Sequence, residues 1–352
     1  MPKDNENISL PDLTEIAETP SQPPFAPDQM VRCDSCLRAN PPTRVNCLYC
    51  GVALPASETT ASLQRPALRP LEEWEQGYNN ILLPPAPNLG EASLAEAADL
   101  LRLRLEDLTR ILNLAMPLPL ARAATVDEAQ LVQRRLVALG FRSIVVADRE
   151  RNSDSREVIK VRAIDIDEEE IYAYQTPDAP AIQIRWTDVV LIATGRLLVR
   201  RVELKEEKGK RAENRILDAS EFATDETAMD FYQRDQASPY RITSNGFDFS
   251  CLGSQKGLVA GENMDRLIQV FRERAPNAEF DDKFNAARKA LEAVWPSGQQ
   301  SGSSGWRRER PGKISLSTVT ELNNEMQFLR YSRLRYHLLS NPPETTYDAQ
   351  AD

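Results

Sequence analysis

Four of the chain's five cysteines fall into two C-x-x-C pairs, Cys33-Asp34-Ser35-Cys36 and Cys47-Leu48-Tyr49-Cys50, with ten residues between them. Each pair places two sulfurs on one tight turn. Two such turns facing each other complete a tetrahedral set of four thiolates around Zn2+, with no position left open for a substrate or an activated water. Pro41 and Pro42 favour a compact connecting loop, and Gly51 suits a turn that needs positive φ. The competing readings are two disulfides or unpaired thiols. Five cysteines in 352 residues, and a start without the apolar core of a secretory signal, argue against a disulfide scaffold. The expected metal ligands are therefore Cys33, Cys36, Cys47 and Cys50, with Zn2+ as a structural cofactor.

The spacing Cys33-x2-Cys36-x3-Asn40-x6-Cys47-x2-Cys50 resembles the Ran-binding-protein type of zinc finger and, more loosely, the short zinc ribbons at the ends of many bacterial proteins. The resemblance covers residues 31–52 and implies single-stranded RNA or ubiquitin as ligands. Val31 stands where that finger family usually carries a tryptophan.

A net charge of −10 argues against a general nucleic-acid or anionic-membrane surface, because phosphate binding requires a basic face. No run approaches eighteen apolar residues, so no membrane insertion is expected. Residues 1–29 carry six carboxylates and one lysine among several prolines, the composition of a disordered acidic tail on a cytoplasmic chain. Residues 30–52 form the zinc ribbon. Residues 53–90 read as a Pro-rich linker, with Trp74, Tyr78, Ile81 and Leu82 expected to dock on a neighbouring domain.

From residue 91 to 150 the pattern is periodic. Ser93 to Glu96 and Thr125 to Glu128 read as capping boxes opening helices. The second helix carries Ala129, Val132, Leu136 and Leu139 on one face and stops at Gly140, and Ser143 to Ala147 reads as a strand. Leu103-x-Leu-Glu-Asp-Leu108, Pro117-Leu-Pro119, Asp127-Glu-Ala129, Leu136 and Gly140 resemble the C-terminal domain of the ribosomal stalk protein, a fold shared by a protease adaptor. That resemblance implies a small docking domain. The stalk domain's glycine-containing basic helix has no counterpart in Leu103 to Leu112, so no ligand carries over.

Residues 156–275 are rich in short β segments, followed by a helix with Met264, Leu267, Ile268 and Phe271 on one face ending before Pro276. Strands closed by one amphipathic helix resemble a pleckstrin-homology-type barrel, and Ile184 to Ile192 is similar to a strand pair of its bacterial members. A helix over 278–296 follows, with Phe280, Phe284, Ala287, Leu291 and Val294 as its seam. Residues 297–313 read as a flexible Gly/Ser linker, and 314–340 as a C-terminal helix with Val319, Leu322, Met326 and Leu329 on one face. The expected fold class is multidomain α+β: a small zinc knuckle, an α/β docking-type domain, a β-barrel-like domain capped by a helix, and C-terminal helices.

Two basic-aromatic clusters, Trp306 to Arg310 and Arg330 to His337, suit either an anionic partner or a solvated helix end where the dipole favours cations. His337 is the sole histidine. Cys251 reads as a buried strand residue, and the Asp165 to Glu170 cluster as a solvated turn that lacks calcium-loop spacing. No catalytic residue and no small-molecule substrate emerge. The expected function is a non-enzymatic, zinc-containing adaptor or scaffold acting through contacts with a protein partner. The alternative is single-stranded RNA binding through the zinc finger and the Arg/aromatic C-terminal segment.

Overall fold

A computed structural model describes residues 25–55, 64–72, 75–87, 89–148, 158–176, 178–208, 214–236, 238–303, 307–310 and 313–343. Most of the expected acidic tail, Trp74 and Trp306 lie outside the described residues. The chain divides into two compact units, Met1–Ala67 and Leu68–Asp352. Helices and several sheets, one of them a curled half-barrel, make the fold mixed α+β.

The first unit is built around the cysteines. A short antiparallel pair, β1 (Val31–Arg32) and β2 (Ala39–Asn40), precedes the second knuckle. Buried Leu54 packs on Cys33 and Cys47 to make a three-residue core.

The second unit opens with β3 (Tyr78–Leu82), the centre of a sheet whose other strands are β4 (Leu118–Ala123) and β5 (Ser143–Ala147), both antiparallel to it. The linker reading of 53–90 therefore fails at its end. Prolines at 84, 85 and 87 hide the strand in the sequence, and its two asparagines break the apolar pattern although both are fully buried. Their side chains bond internally: Asn80 Nδ2 donates to the Ala129 carbonyl at 2.9 Å and Asn79 Nδ2 to Asp148 Oδ1 at 2.9 Å.

Helices α1 (Glu91–Leu101) and α2 (Leu105–Asn113) connect β3 to β4, and α3 (Val126–Ala138) connects β4 to β5. Thr125 caps α3 as expected, its hydroxyl accepting from Glu128 N, and Gly140 ends the helical segment at φ 90°. The box expected at Ser93 is not used. α1 starts three residues earlier, after Gly90, without a side-chain cap.

Two short strands, β6 (Ile159–Lys160) and β7 (Ala163–Ile166), lead to β8 (Glu170–Tyr174) and β9 (Ile182–Arg185); β7, β8 and β9 form an antiparallel meander. A long hairpin follows, β10 (Val189–Lys208) against β11 (Asn214–Gln233), then β12 (Tyr240–Thr243), which joins β11 to β6. Where the sequence suggests short β segments, β10 runs on through 20 residues. Gly195 lies inside it because a Cβ there would come within 2.6 Å of Phe284 and 2.8 Å of Phe328.

Helix α4 (Ala260–Arg274) buries Met264, Leu267 and Phe271 against the β core, with Phe271 edge-on to Trp186 at 5.1 Å. Cys251 lies in a 3-10 segment, Phe249–Gln255, rather than in a strand.

The C-terminal third departs most from expectation. Only Phe284–Leu291 of 278–296 is helical (α5), while Phe280 belongs to β13 (Glu279–Asp281), parallel to β10. Buried Asp281 draws the chain out of the helix, since its carboxylate accepts from Lys283 N and Tyr331 OH and forms an ion pair with the Arg335 guanidinium.

The Gly/Ser segment is an edge strand. β14 (Gly298–Ser303) and β15 (Arg307–Arg310) pair with β16 (Lys313–Asn323), which also pairs with β10. An edge strand needs only its backbone groups on one side, which Gly and Ser supply as well as any residue. Helix α6 is confined to Glu325–Ser340, so 314–323 is strand where helix was expected. Leu316, Thr318, Thr320 and Leu322 alternate with period two, and that period prevails. Asn324 marks the switch: its side chain accepts from Leu198 N at 2.7 Å and donates to the Arg196 carbonyl at 3.1 Å.

Successive strand residues face opposite sides, so the base of the hairpin is a wall between two cores. Leu197 and Ala228 belong to the core that holds Leu108, Val132, Phe284, Trp295 and Phe328. Ile192, Met229 and Phe231 belong to the core under α4. Residues 91–150 and the C-terminal helices thus share one interior.

Candidate metal centre

Two turns of the same conformation carry the cysteines. In the first, Cys33 N donates to the Arg38 carbonyl at 3.0 Å and Leu37 N to the Cys33 carbonyl at 2.8 Å. In the second, Cys47 N donates to the Val52 carbonyl at 2.8 Å and Gly51 N to the Cys47 carbonyl at 3.0 Å. The offsets are identical, and the residue four after each leading cysteine is left-handed: Leu37 at φ 58° and Gly51 at φ 76°.

The four Sγ atoms lie within 4.8 Å of one another. Cys33 and Cys50 sulfurs are 3.5 Å apart, as are those of Cys36 and Cys47. Thiolates about 2.3 Å from a tetrahedral ion stand about 3.8 Å from each other, so the cluster has the size for one ion. Each contact joins sulfurs from different turns, as a shared ion requires. Among the described residues this is the only group of three or more His, Cys, Asp or Glu side chains gathered closely enough to hold a metal.

The titration of the thiols points the same way. Burial pushes the Cys47 thiol up, but the Tyr49 and Cys50 amides, Cys36 and Asn40 outweigh it and bring it down to about 6. The Cys36 thiol is held down by the Arg38 backbone, yet burial and the three neighbouring cysteines prevail and push it up to about 11. Four sulfurs this close cannot all ionise unless a cation neutralises them. The donor set thus fits a thiophilic ion with four soft ligands.

Asn40, noted in the sequence only for its spacing, joins the two turns. It is fully buried; its Nδ2 donates to the Arg38 carbonyl at 2.9 Å and reaches Cys47 Sγ at 3.4 Å, and its Oδ1 accepts from Leu48 N at 2.8 Å. Tyr49 N also points at Cys47 Sγ, at 3.4 Å. Such outer contacts orient ligands and tune their charge.

Around this centre four apolar side chains face outward: Leu37 (62% exposed), Leu48 (54%), Tyr49 (56%) and Val52 (47%). The Arg38 guanidinium lies over the Tyr49 ring at 4.7 Å.

The other sequence candidates belong to the second unit. Burial raises the Cys251 thiol to about 11, so it stays protonated. In the Arg330 to His337 segment, Tyr331 and Arg333 are buried and Arg335 pairs with Glu279 and Asp281. Arg307–Arg310 is strand β15. No described helix is long and apolar enough to cross a membrane.

No known protein family, curated protein or solved structure matches this chain.

Proposed function

We propose that the four thiolates hold Zn2+ as a structural ion and that the chain is a non-enzymatic adaptor, working in the reducing cytoplasm through contacts with a protein partner. The ion supplies cross-linking between the two turns. The chain's own residues do the rest: Asn40 fixes the distance between the turns, and the amides of Tyr49 and Asn40's Nδ2 stabilise charge on Cys47.

The observation that carries the reading is the apolar collar of Leu37, Leu48, Tyr49 and Val52. A closed metal site has no use for exposed apolar groups, and in water they cost solvation until a partner covers them. The resemblance to a finger family that binds ubiquitin or RNA agrees with a knuckle that presents its surface.

The test pairs metal content with co-purification. The doubly substituted Leu48→Ser/Tyr49→Ser chain should keep its zinc and lose the protein partner that the native chain recovers. Recovery of no protein partner by the native chain, with or without zinc, would overturn the reading.

A second reading, single-stranded RNA binding, draws on Arg38 stacked over exposed Tyr49, an arrangement that can also receive a base. The burial of Tyr331 and Arg333 removes two members of the C-terminal cluster on which that reading also relied. Salt-dependent binding of a uridine oligonucleotide, lost on Tyr49→Ser, would favour RNA over protein.

A further inference from the structure

A groove of about 600 Å³ opens between α2, α5 and the β10 and β16 strands where β16 ends. Arg104, Asp107 and Arg110 line it from α2 and the residue before it, and Arg288, Lys289 and Glu292 from α5 and the residue after it. Leu198, Leu322 and Ala293 supply apolar lining, and Arg200 stands at the β10 side.

Five cations and two carboxylates therefore meet in one groove of a chain whose net charge is −10. Some of that charge is matched internally. Asp107 serves both Arg104 at 2.7 Å and Arg110 at 2.8 Å, and Arg200 pairs with Glu221 at 2.6 Å. Glu292 is engaged with the amide and hydroxyl of Ser297, each at 2.9 Å, and with Gln327 at 3.1 Å. Arg288 and Lys289 have no carboxylate partner among the described residues. They close the last turn of α5, where the helix dipole favours cations, but that accounts for their place on the helix and not for three more arginines converging on it.

We infer that this groove receives an acidic, partly apolar peptide segment of a partner protein, its carboxylates on Arg288, Lys289 and the half-matched Arg104–Arg110 pair and its apolar side chains against Leu198 and Leu322. The inference rests on the adaptor reading and gives its partner a chemistry. A nucleic-acid strand suits the groove less well. Among the described residues no aromatic side chain lines it for base stacking, and Asp107 and Glu292 would face a phosphate backbone. For a peptide the same two carboxylates are acceptors for backbone N–H groups.

The experiment uses the full chain and three fluorescent probes: a short peptide alternating Glu and Leu, its counterpart with Lys in place of Glu, and a uridine oligonucleotide. The Glu peptide is expected to bind most tightly, to weaken as salt rises, and to lose roughly tenfold or more of its affinity in Arg288→Glu/Lys289→Glu. Ala293→Trp, which fills the groove, should weaken it as well. Among the described residues neither Arg288 nor Lys289 forms a side-chain hydrogen bond or ion pair, so the charge-reversed chain should melt where the native chain does. If it melts lower, Arg288→Gln/Lys289→Gln gives the same reading with a smaller loss.

Equal binding of the Glu and Lys peptides would overturn the assignment, as would indifference to the charge changes. Tighter binding of the oligonucleotide with the same dependence would assign the groove to nucleic acid instead. A protein partner that co-purifies equally well with the native and charge-reversed chains refutes this groove and leaves the adaptor reading standing. Failure to recover any partner removes the adaptor reading itself.

Discussion

At the scale of single residues, the two knuckles repeat one backbone with different side chains at the left-handed position. Gly51 adopts φ 76° at no steric cost, whereas Leu37 adopts φ 58°, which costs an ordinary residue about 1–2 kcal/mol. Glycine would relieve that strain but would lose about 0.5–1 kcal/mol through the greater freedom of its unfolded chain. Leu37 is 62% exposed, so little packing is forfeited. Leu37→Gly is therefore expected to stabilise the metal-loaded first unit by up to about 1 kcal/mol, read as tighter zinc retention against a competing chelator. Clear loss of retention would mean that the Leu37 side chain supports the knuckle and is not simply part of its outer collar. The same substitution should weaken the proposed partner contact, which separates the two roles of this position. Gly51 was readable as a turn residue because glycine advertises positive φ. Leu37 was not, since nothing about leucine does.

At the scale of elements, α6 shows why local pattern misleads. It sends Phe328, Tyr331 and Leu334 into one core, while Ser332 donates to Asp230 at 2.7 Å and meets the Tyr232 hydroxyl at 2.9 Å. Asp230 in turn holds Arg241 through two hydrogen bonds of 2.6 and 2.8 Å, both side chains all but sealed from water. A sequence reading sees Arg, Tyr and Ser on a terminal helix and expects either a solvated helix end or a contact with an anionic partner. The partners that bury them lie on β11 and β12, about a hundred residues earlier. Breaking a buried pair strands a charge and typically costs about 3–5 kcal/mol, whereas replacing both members with apolar residues of similar size costs far less. Asp230→Ala is accordingly expected to destabilise the second unit by that amount in urea denaturation, and Asp230→Leu/Arg241→Met by distinctly less. Equal losses would show that the pair is only one strand of a network in which Ser332 and Tyr232 matter as much. The same remoteness of partners explains β14–β16: a Gly/Ser segment looks like a linker until the strand that fills its backbone bonds is known.

At the scale of the whole chain, what was legible was whatever the sequence states locally: four cysteines at ligand spacing, a Thr cap three residues before a Glu, an amphipathic α4. What was not legible was the merging of segments into one second unit, because it depends on contacts with no local signature. The contact that joins the β3 sheet to the C-terminal third is the clearest case. Trp295, fully buried, donates from Nε1 to Asn79 Oδ1 at 2.9 Å, across 216 positions of sequence, while Asn79 Nδ2 holds Asp148 and Asp148 holds Arg122. In a chain of independent domains, a substitution after residue 275 would leave residues 91–150 unaffected. Here Trp295→Ala should open a cavity in the shared core and leave the Asn79 carbonyl oxygen without that donor, at a cost of about 3–5 kcal/mol. The loss should appear in the amide protection of β3, β4 and β5 as fully as in that of α5 and α6, since one core melts as one cooperative unit. Unchanged protection of the β3 sheet, with loss confined to the C-terminal helices, would mean that the sheet and its three helices stand alone, as the sequence by itself suggests.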